Sequence, residues 1–184
     1  MDGHTWIALL VACIGYAAKY VNDLRIAERK DQLDRVNAQL RDLYGPLLAL
    51  IQASDTAYIE FRKKHRHGTQ YFVGDPPPTE RDLAAWRNWM THVFMPLNRK
   101  MESVILANAH LIEDRLFPPG FHALLAHVAG YKTVMNAWKE QNYAEHQSIV
   151  DFPRAVLPTY VKETYEALMA KQHRLLHSLE THRF

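Results

Sequence analysis

The sequence predicts an all-α protein: an N-terminal transmembrane helix that continues into a long stalk helix and an up-down four-helix bundle with proline kinks. Apolar residues recur at the 3–4 spacing of an amphipathic helix along most of the chain. Sustained alternation of apolar and polar residues, the pattern of a half-buried strand, is not apparent. The helical patterns are separated by short segments rich in glycine and proline, so we expect short connections between neighbouring helices.

The first element is predicted to be a membrane anchor. The apolar stretch 5–21 contains one charged residue, Lys19. As a helix it would be about 25 Å long, against about 30 Å for the hydrocarbon core of a bilayer. Trp6 lies at one end and Tyr16 and Tyr20 at the other, which is where aromatic rings meet the two headgroup layers. Lys19 can extend its ammonium group to the nearer layer.

The charges around this stretch predict its orientation. No lysine or arginine precedes it, whereas Arg25, Arg29 and Lys30 follow it closely. The positive-inside rule therefore predicts a single-pass protein of the inner (plasma) membrane, with the N-terminus outside and the rest cytoplasmic. Two alternatives remain open: a lipoprotein signal cut before Cys13, although the positive n-region of a signal peptide is missing, and the first buried helix of a soluble bundle.

The remaining chain is predicted to form one cytoplasmic helical bundle. Residues 1–22 are assigned to the anchor and 23–184 to the bundle, because about 160 residues suffice for one domain with a real core. Gly/Pro segments divide the bundle, and Thr79 with Asp82 resembles a capping box at the start of the second helix. Asp151 is expected to cap the fourth. The four predicted helices are 23–65, 79–116, 119–142 and 151–182.

The stalk carries a heptad pattern. Its apolar positions follow a 3–4 spacing typical of a packing seam, with polar flanks on either side. We expect this seam to join copies of the chain or other membrane subunits. The pattern continues through Gly45-Pro46, which predicts a kink and not an end. The seam residues are Ile26, Leu33, Val36, Leu40 and Leu43.

Composition and missing motifs limit the possible functions. The formal net charge is +2, from 22 basic and 20 acidic residues, so no nucleic-acid partner is expected. Common nucleotide and hydrolase signatures are missing, no glutamate has the spacing to histidine that a di-iron bundle needs, and Cys13 lies in the apolar stretch. We therefore expect no cofactor and no enzymatic activity.

Two groups of residues are candidate sites. The basic run at the end of the first helix could bind phosphate, an anionic headgroup or a nucleotide, or could be a solvated helix end; it comprises Lys63, Lys64, His65, Arg66 and His67. His173 and His177 lie one turn apart, a spacing that suits Zn or Cu, but a third and fourth ligand are not evident.

These observations favour a membrane-anchored helical interaction or assembly protein that works as an oligomer or as a subunit of a membrane complex. The alternative is a ligand-controlled membrane effector, in which the bundle binds an anionic ligand or nucleotide and acts through the transmembrane helices. A metal- or haem-binding helical bundle is a more distant alternative. The alternatives differ in what they bind: a protein partner, a small anion or a metal.

Overall fold

The computed structural model of the chain describes residues 3–66, 71–114 and 116–180, and within them it is all-helical, without strands. This confirms the all-α part of the predicted fold class. Six α-helices, two short π-helical segments and one 3-10 turn make up the described chain. They are α1 (Gly3–Ala38), π1 (Gln39–Tyr44), α2 (Gly45–His65), α3 (Glu80–Trp89), π2 (Met90–Phe94), α4 (Met95–Ala107), the 3-10 turn (Ala109–Leu111), α5 (Pro119–Lys139) and α6 (Leu157–Glu180).

The chain is helical without interruption from α1 to the end of α2, and π1 accommodates the proline in its middle. Pro46 has no N–H and its ring crowds the preceding turn of an α-helix. The π-helical turn places the amide of Gly45 on the carbonyl of Leu40, five residues earlier. A Cβ atom on residue 45 would overlap that carbonyl oxygen, so the turn requires glycine.

The second proline inside a helical pattern has the same solution. The amide of Met95, just before Pro96, bonds to the carbonyl of Met90. Helices α3 and α4 are thereby joined through π2 into one helical run. Pro46, where a kink was predicted, and Pro96 therefore each follow a π-helical segment that keeps the run continuous.

The starts predicted for the second and fourth helices follow different local rules. Thr79 and Asp82 form the predicted capping box, with the Thr79 amide donating to Asp82 Oδ2 at 2.9 Å and the Asp82 amide donating to Thr79 Oγ1 at 3.3 Å. Asp151, by contrast, caps no helix. A turn at Pro153, closed by the Leu157 amide on the Pro153 carbonyl, delays the start of α6 to Leu157.

Helix α6 runs antiparallel to the first helical run, because successive contacts pair later residues of α6 with earlier residues of α1. These contacts are Tyr44 Oη to Tyr160 Oη at 3.1 Å, Gln172 Nε2 to Asn37 Oδ1 at 2.7 Å and Arg29 Nη1 to the Ser178 carbonyl at 3.5 Å. Helix α4 packs against α2 and α5, and α6 also packs against α2 and α5. A single hydrophobic core lies between these helices.

The core begins late in the first helix. Val36 is the first fully buried apolar residue, and buried residues then follow in every helix to Leu168 of α6. The earlier part of α1 extends away from this core. Among the described residues, no helix is both long enough and apolar enough to cross a membrane, so the transmembrane anchor predicted at residues 1–22 is not supported.

Candidate functional site

The N-terminal part of α1 exposes an unusual amount of apolar surface. Nine large apolar side chains described there are between 45% and 75% exposed, and none of these nine belongs to the core. We call this part, residues 6–24, the projecting segment. Its exposed large apolar residues are Trp6, Ile7, Leu10, Val11, Ile14, Tyr16, Tyr20, Val21 and Leu24.

The projecting segment has no polar face between Trp6 and Val21. At 100° per residue, the large side chains cover well over half of the helix circumference. The remaining arc carries Ala12, Gly15 and one charge, Lys19. A helix that is apolar all round is normally buried in protein or lipid. The apolar side chains of the segment are therefore exposed, although its composition is typical of a buried helix.

The residues predicted to mark the membrane boundaries lie on this segment. Trp6, Tyr16, Lys19 and Tyr20 are all exposed. At 1.5 Å per residue, Trp6 and Tyr20 are separated by about 21 Å along the helix axis. The aromatic rings thus bracket the apolar stretch, with the tyrosines at the end nearer the core.

The heptad seam is mostly occupied within the chain. Val36, Leu40 and Leu43 are buried in the core, where they face other helices of the same molecule. Ile26 and Leu33, nearer the projecting segment, are half-buried. Only these two of the five predicted seam residues leave apolar surface for a second chain.

The basic run does not converge into one site. Lys63 pairs with Glu60 at 2.6 Å, Lys64 is exposed, and Arg66 donates to the carbonyl of Pro76. His65 turns inward instead, against the ring of Phe61. His67 lies outside the described residues.

His65 belongs to an aromatic cluster. Its ring lies 4.9 Å from the ring of Phe61 and 6.5 Å from that of Trp89, and its buried Nε2 has no hydrogen-bond partner. Burial, followed by the charge of Lys64, lowers the pKa of His65. A neutral, inward-facing imidazole contributes little to anion binding at the helix end.

The two histidines of α6 do not gain further ligands. His173 and His177 are both exposed. In the described part of the chain, no group of three or more histidine, cysteine, aspartate or glutamate residues is arranged to hold a metal ion. Among the residues that the structure describes, the pair is therefore not part of a metal-binding group.

A cleft that the sequence did not reveal opens between α2, α3, π2, α4, α5 and the segment 140–156, which connects α5 to α6. It has a small inner chamber of about 50 Å³ and a wider outer part of about 610 Å³. The inner chamber is lined by Ser54, Tyr58, Trp86, Met90, Phe94, Asn98, His127, Tyr131, Phe152 and Arg154. The outer part adds Arg62, Tyr71, Phe72, Val73, Gln147, Ser148, Val150 and Asp151.

One wall of the cleft is built from aromatic rings that pack against one another. Phe61 lies behind it, with the rings of Tyr71, Trp86, Trp89 and Phe94 at 4.9, 5.7, 5.3 and 5.8 Å from its own. Because these rings come from α2, α3, π2 and the loop before α3, they fix the position of that wall. The two tryptophans of α3, Trp86 and Trp89, both belong to this cluster.

The opposite wall is held by hydrogen bonds to the connecting segment 140–156. Trp86 Nε1 and Tyr131 Oη both donate to the carbonyl of His146, at 2.9 and 3.2 Å. Trp138 Nε1 donates to the carbonyl of Glu145 at 2.8 Å. Three donors from α3 and α5 thus hold this segment in place without regular secondary structure.

The inner chamber contains buried polar groups. Asn98 is 2% exposed, and its Oδ1 atom is buried without a hydrogen-bond partner. Leaving such an acceptor unsatisfied costs about 1–3 kcal/mol, so it is an unusual feature of a folded protein. Ser54, 6% exposed, also lines the chamber.

His127 is the histidine that lines the chamber. Its Nδ1 lies 2.7 Å from the carbonyl of Val150, which can only accept, so Nδ1 carries the proton. Burial lowers the pKa of His127 despite this hydrogen bond. The neutral ring then has Nε2 as an acceptor. Burial likewise raises the pKa of the neighbouring Tyr131, which stays protonated.

Two arginines line the outer part of the cleft, and one of them, Arg154, also lines the inner chamber. The guanidinium carbon of Arg154 lies 3.7 Å from the ring centroid of Tyr58, and that of Arg62 lies 5.8 Å from the same centroid. Asp55 contacts Arg154 at 3.4 Å, and Asp151 lines the outer part of the cleft. The mouth therefore presents two cations around one aromatic ring.

Sequence reasoning missed the cleft because its residues come from five separate stretches of the chain. No short motif links Ser54, Asn98, His127 and Arg154. The only local signal was the pair of tryptophans in α3, which could not both face one narrow core stripe. Such a signal indicates extra packing surface but not a cavity.

Comparison with known proteins gives no assignment. No family model matches the chain. Comparison with curated proteins and with solved structures finds no significant similarity. Function must therefore be argued from the projecting segment and the cleft themselves.

Proposed function

We propose that the protein is a membrane-associated helical interaction protein whose projecting segment inserts into the apolar interior of a bilayer while the folded helices stay outside. One observation carries the proposal: nine large apolar side chains on residues 6–24 are exposed and have no place in the core. The proposal concerns insertion of this segment and does not require it to cross the membrane.

The energetics favour lipid as the cover of the segment. Moving a large apolar side chain from water to an apolar phase gains about 1.5–3 kcal/mol, and nine such residues act together. The backbone of a helix is already hydrogen-bonded internally, so insertion leaves few polar groups unsatisfied. An amphipathic helix lying in the interface would need a polar face, which this segment lacks.

The ends of the segment suit the two chemical layers of a membrane surface. Tyr16, Lys19 and Tyr20 lie near the end that joins the core, where ring hydroxyls and an ammonium group can reach headgroups. Arg25 and Lys30 follow and are exposed. Such cations attract anionic lipids, each contributing about 1 kcal/mol near the surface.

The folded helices would then serve assembly, as an up-down bundle held at the membrane. Half-buried Ile26 and Leu33 lie at the junction between the projecting segment and the core. This apolar surface supports association with a second copy or with another membrane subunit. The mass of the complex purified in mild detergent tests this part: a dimer or larger species is expected, and a bare monomer would contradict it.

Liposome flotation tests the insertion directly. The change is the triple substitution Ile7→Lys, Leu10→Lys and Ile14→Lys, which we expect to abolish flotation because three charges would enter the apolar phase. The matched control changes three exposed apolar residues outside the segment: Ile59→Lys, Leu106→Lys and Ile149→Lys. This control should float as the wild type does. Equal flotation of both variants, or a wild type that stays in the soluble fraction, would refute the proposal.

A further inference from the structure

We propose that the cleft is a binding site for a small organic anion with a flat, apolar body and a hydrogen-bond donor at the end opposite its charge. This inference does not depend on the proposed membrane insertion. It assigns the anion site that the basic run suggested to a different place in the fold.

The inner chamber suits a ligand that carries a hydrogen-bond donor. The buried Oδ1 of Asn98 is an acceptor without a partner. With its Nδ1 proton donated to the Val150 carbonyl, neutral His127 also has an acceptor, Nε2, as its remaining polar atom. A hydroxyl or amine group of a ligand would satisfy one of these two acceptors.

The walls of the chamber suit a ligand with a flat, apolar body. Tyr58 packs edge-on against Trp86 and Phe94, with ring centroids 6.5 and 6.0 Å apart, and Phe152 packs against His127 at 5.5 Å. Rings at these spacings accept another planar group by stacking or edge contact. Ligand pockets commonly combine such apolar walls with a few polar groups.

The mouth of the cleft suits a negatively charged group on the ligand. Arg154 and Arg62 both line the outer cleft beside the ring of Tyr58, so an anionic group bound there would face two cations. Asp55 contacts Arg154 at 3.4 Å through one guanidinium nitrogen, which leaves its other N–H groups for a ligand. Asp151 also faces the outer cleft, so a cationic ligand is the main competing outcome.

The size of the cleft agrees with this ligand class. The inner chamber of about 50 Å³ accommodates a group of a few atoms, such as the hydroxyl-bearing edge of a ring. The outer part of about 610 Å³ is within the range of small-molecule sites. A ligand of one ring with a short acidic arm would span the two parts.

The test uses 4-hydroxyphenylacetate as the probe and full-length protein in detergent micelles. Binding is followed by calorimetry and by the NMR resonance of the Trp86 indole N–H, which donates to the His146 carbonyl at the cleft wall. We expect a dissociation constant below about 1 mM and a shift of that resonance. Phenylacetate, which lacks the hydroxyl donor, should bind roughly tenfold or more weakly because Asn98 stays unsatisfied. Tyramine, in which an ammonium replaces the carboxylate, should bind more weakly still.

Variants locate the binding energy. Asn98→Leu, of similar volume, should bind 4-hydroxyphenylacetate and phenylacetate equally, and Arg154→Gln should weaken both roughly tenfold. Arg99→Gln is the matched control, since Arg99 is an exposed cation next to Asn98 on α4, and it should bind as the wild type does.

Three results would overturn the inference: no shift of the Trp86 resonance with 4-hydroxyphenylacetate, tyramine binding as tightly as the acid, or an Asn98→Leu protein that keeps the hydroxyl preference. If Asn98→Leu does not fold, the comparison of the three ligands on the wild type still decides the question. Loss of membrane flotation would leave the cleft inference intact, and absence of ligand binding would leave the membrane proposal intact.

Discussion

Three buried side-chain atoms in the described part of the chain have no hydrogen-bond partner: Gln39 Oε1, His65 Nε2 and Asn98 Oδ1. They differ in what surrounds them. Gln39 has satisfied its amide by donating to the Leu111 carbonyl at 2.8 Å, and His65 is stacked between aromatic rings. Asn98 alone lines a cavity. The position of an unsatisfied atom, and not its mere presence, therefore identifies a candidate binding site.

The lowered pKa of His127 predicts how stability responds to acid. Burial places the pKa of folded His127 below the unfolded value of about 6.5, so as pH falls the unfolded chain binds a proton first. The free energy of unfolding should therefore decrease from neutral pH down through 6.5, until the folded state is protonated too. His65 and His146, whose pKa values burial also lowers, act in the same direction.

Replacing His127 isolates its share of that loss. His127→Asn keeps a donor for the Val150 carbonyl but does not titrate, so its free energy of unfolding should fall less between pH 7.5 and pH 5.5 than that of the wild type. Urea unfolding at the two pH values measures the difference. His173→Asn, at an exposed position, is the control and should keep the wild-type pH dependence. A His127→Asn protein with unchanged pH dependence would show that His127 is not buried as described.

Gly130 tests the packing of the connecting segment on α5. A Cβ atom at this position would overlap the hydroxyl of Ser148, which donates to the His127 carbonyl at 3.1 Å. Gly130→Ala should therefore destabilise the fold by about 1–3 kcal/mol, although alanine is the better helix former. Gly15, with no neighbour within 4 Å, provides the control.

The same substitution, Gly15→Ala, should leave the free energy of unfolding within about 0.5 kcal/mol of the wild type, because this part of α1 lies outside the core. Chemical denaturation of the two alanine variants side by side makes the comparison. If Gly130→Ala is as stable as Gly15→Ala, Ser148 does not pack against α5 as the structure shows.

At the level of helices, local sequence rules predicted what depends on neighbouring residues. The 3–4 apolar spacing predicted helices, and the Thr79 and Asp82 pair predicted a capping box that the hydrogen bonds confirm. Asp151 did not act as a cap because the turn at Pro153 and contacts of the connecting segment override the local preference. The π-helical form of the two proline sites could not be foreseen, since a kink and a π-helical turn leave the same apolar pattern.

Leu40 tests whether the heptad seam is used within one molecule. Leu40 is 9% exposed in the core, so Leu40→Asp should lower the free energy of unfolding by at least about 3 kcal/mol. Leu24→Asp, at an exposed position of the same continuous helical run, should change it by less than about 0.5 kcal/mol. Urea unfolding followed by far-UV circular dichroism gives both values.

The opposite pattern is also informative. A Leu40→Asp protein that keeps the stability of the wild type but has a smaller mass in mild detergent would place Leu40 between chains. That result would contradict the packing of α6 against the first helical run and would restore the seam as an oligomer interface.

For the molecule as a whole, the sequence revealed the apolar stretch but did not reveal how the helices pack together. The apolar stretch near the N-terminus is evident in the sequence itself. Its described large apolar side chains are exposed because no other described helix covers them. The cleft was not visible, since Ser54, Asn98, His127 and Arg154 meet only after α2, α4, α5 and the connecting segment have packed together. Long-range packing decided where the candidate ligand site lies, and a single sequence does not encode it in any one segment.

The central claim, that the projecting segment lies in lipid, is tested most directly by the environment of Trp6. The measurement is tryptophan fluorescence of the protein on liposomes with and without brominated acyl chains, which quench only rings that reach the apolar layer. Trp86 and Trp138 are buried in the core and Trp89 is half-buried, so Trp6 is the ring that lipid can reach. The account predicts clear quenching of the wild type and its loss in Trp6→Phe. Equal emission on both kinds of liposome, or quenching that persists in Trp6→Phe, would contradict it.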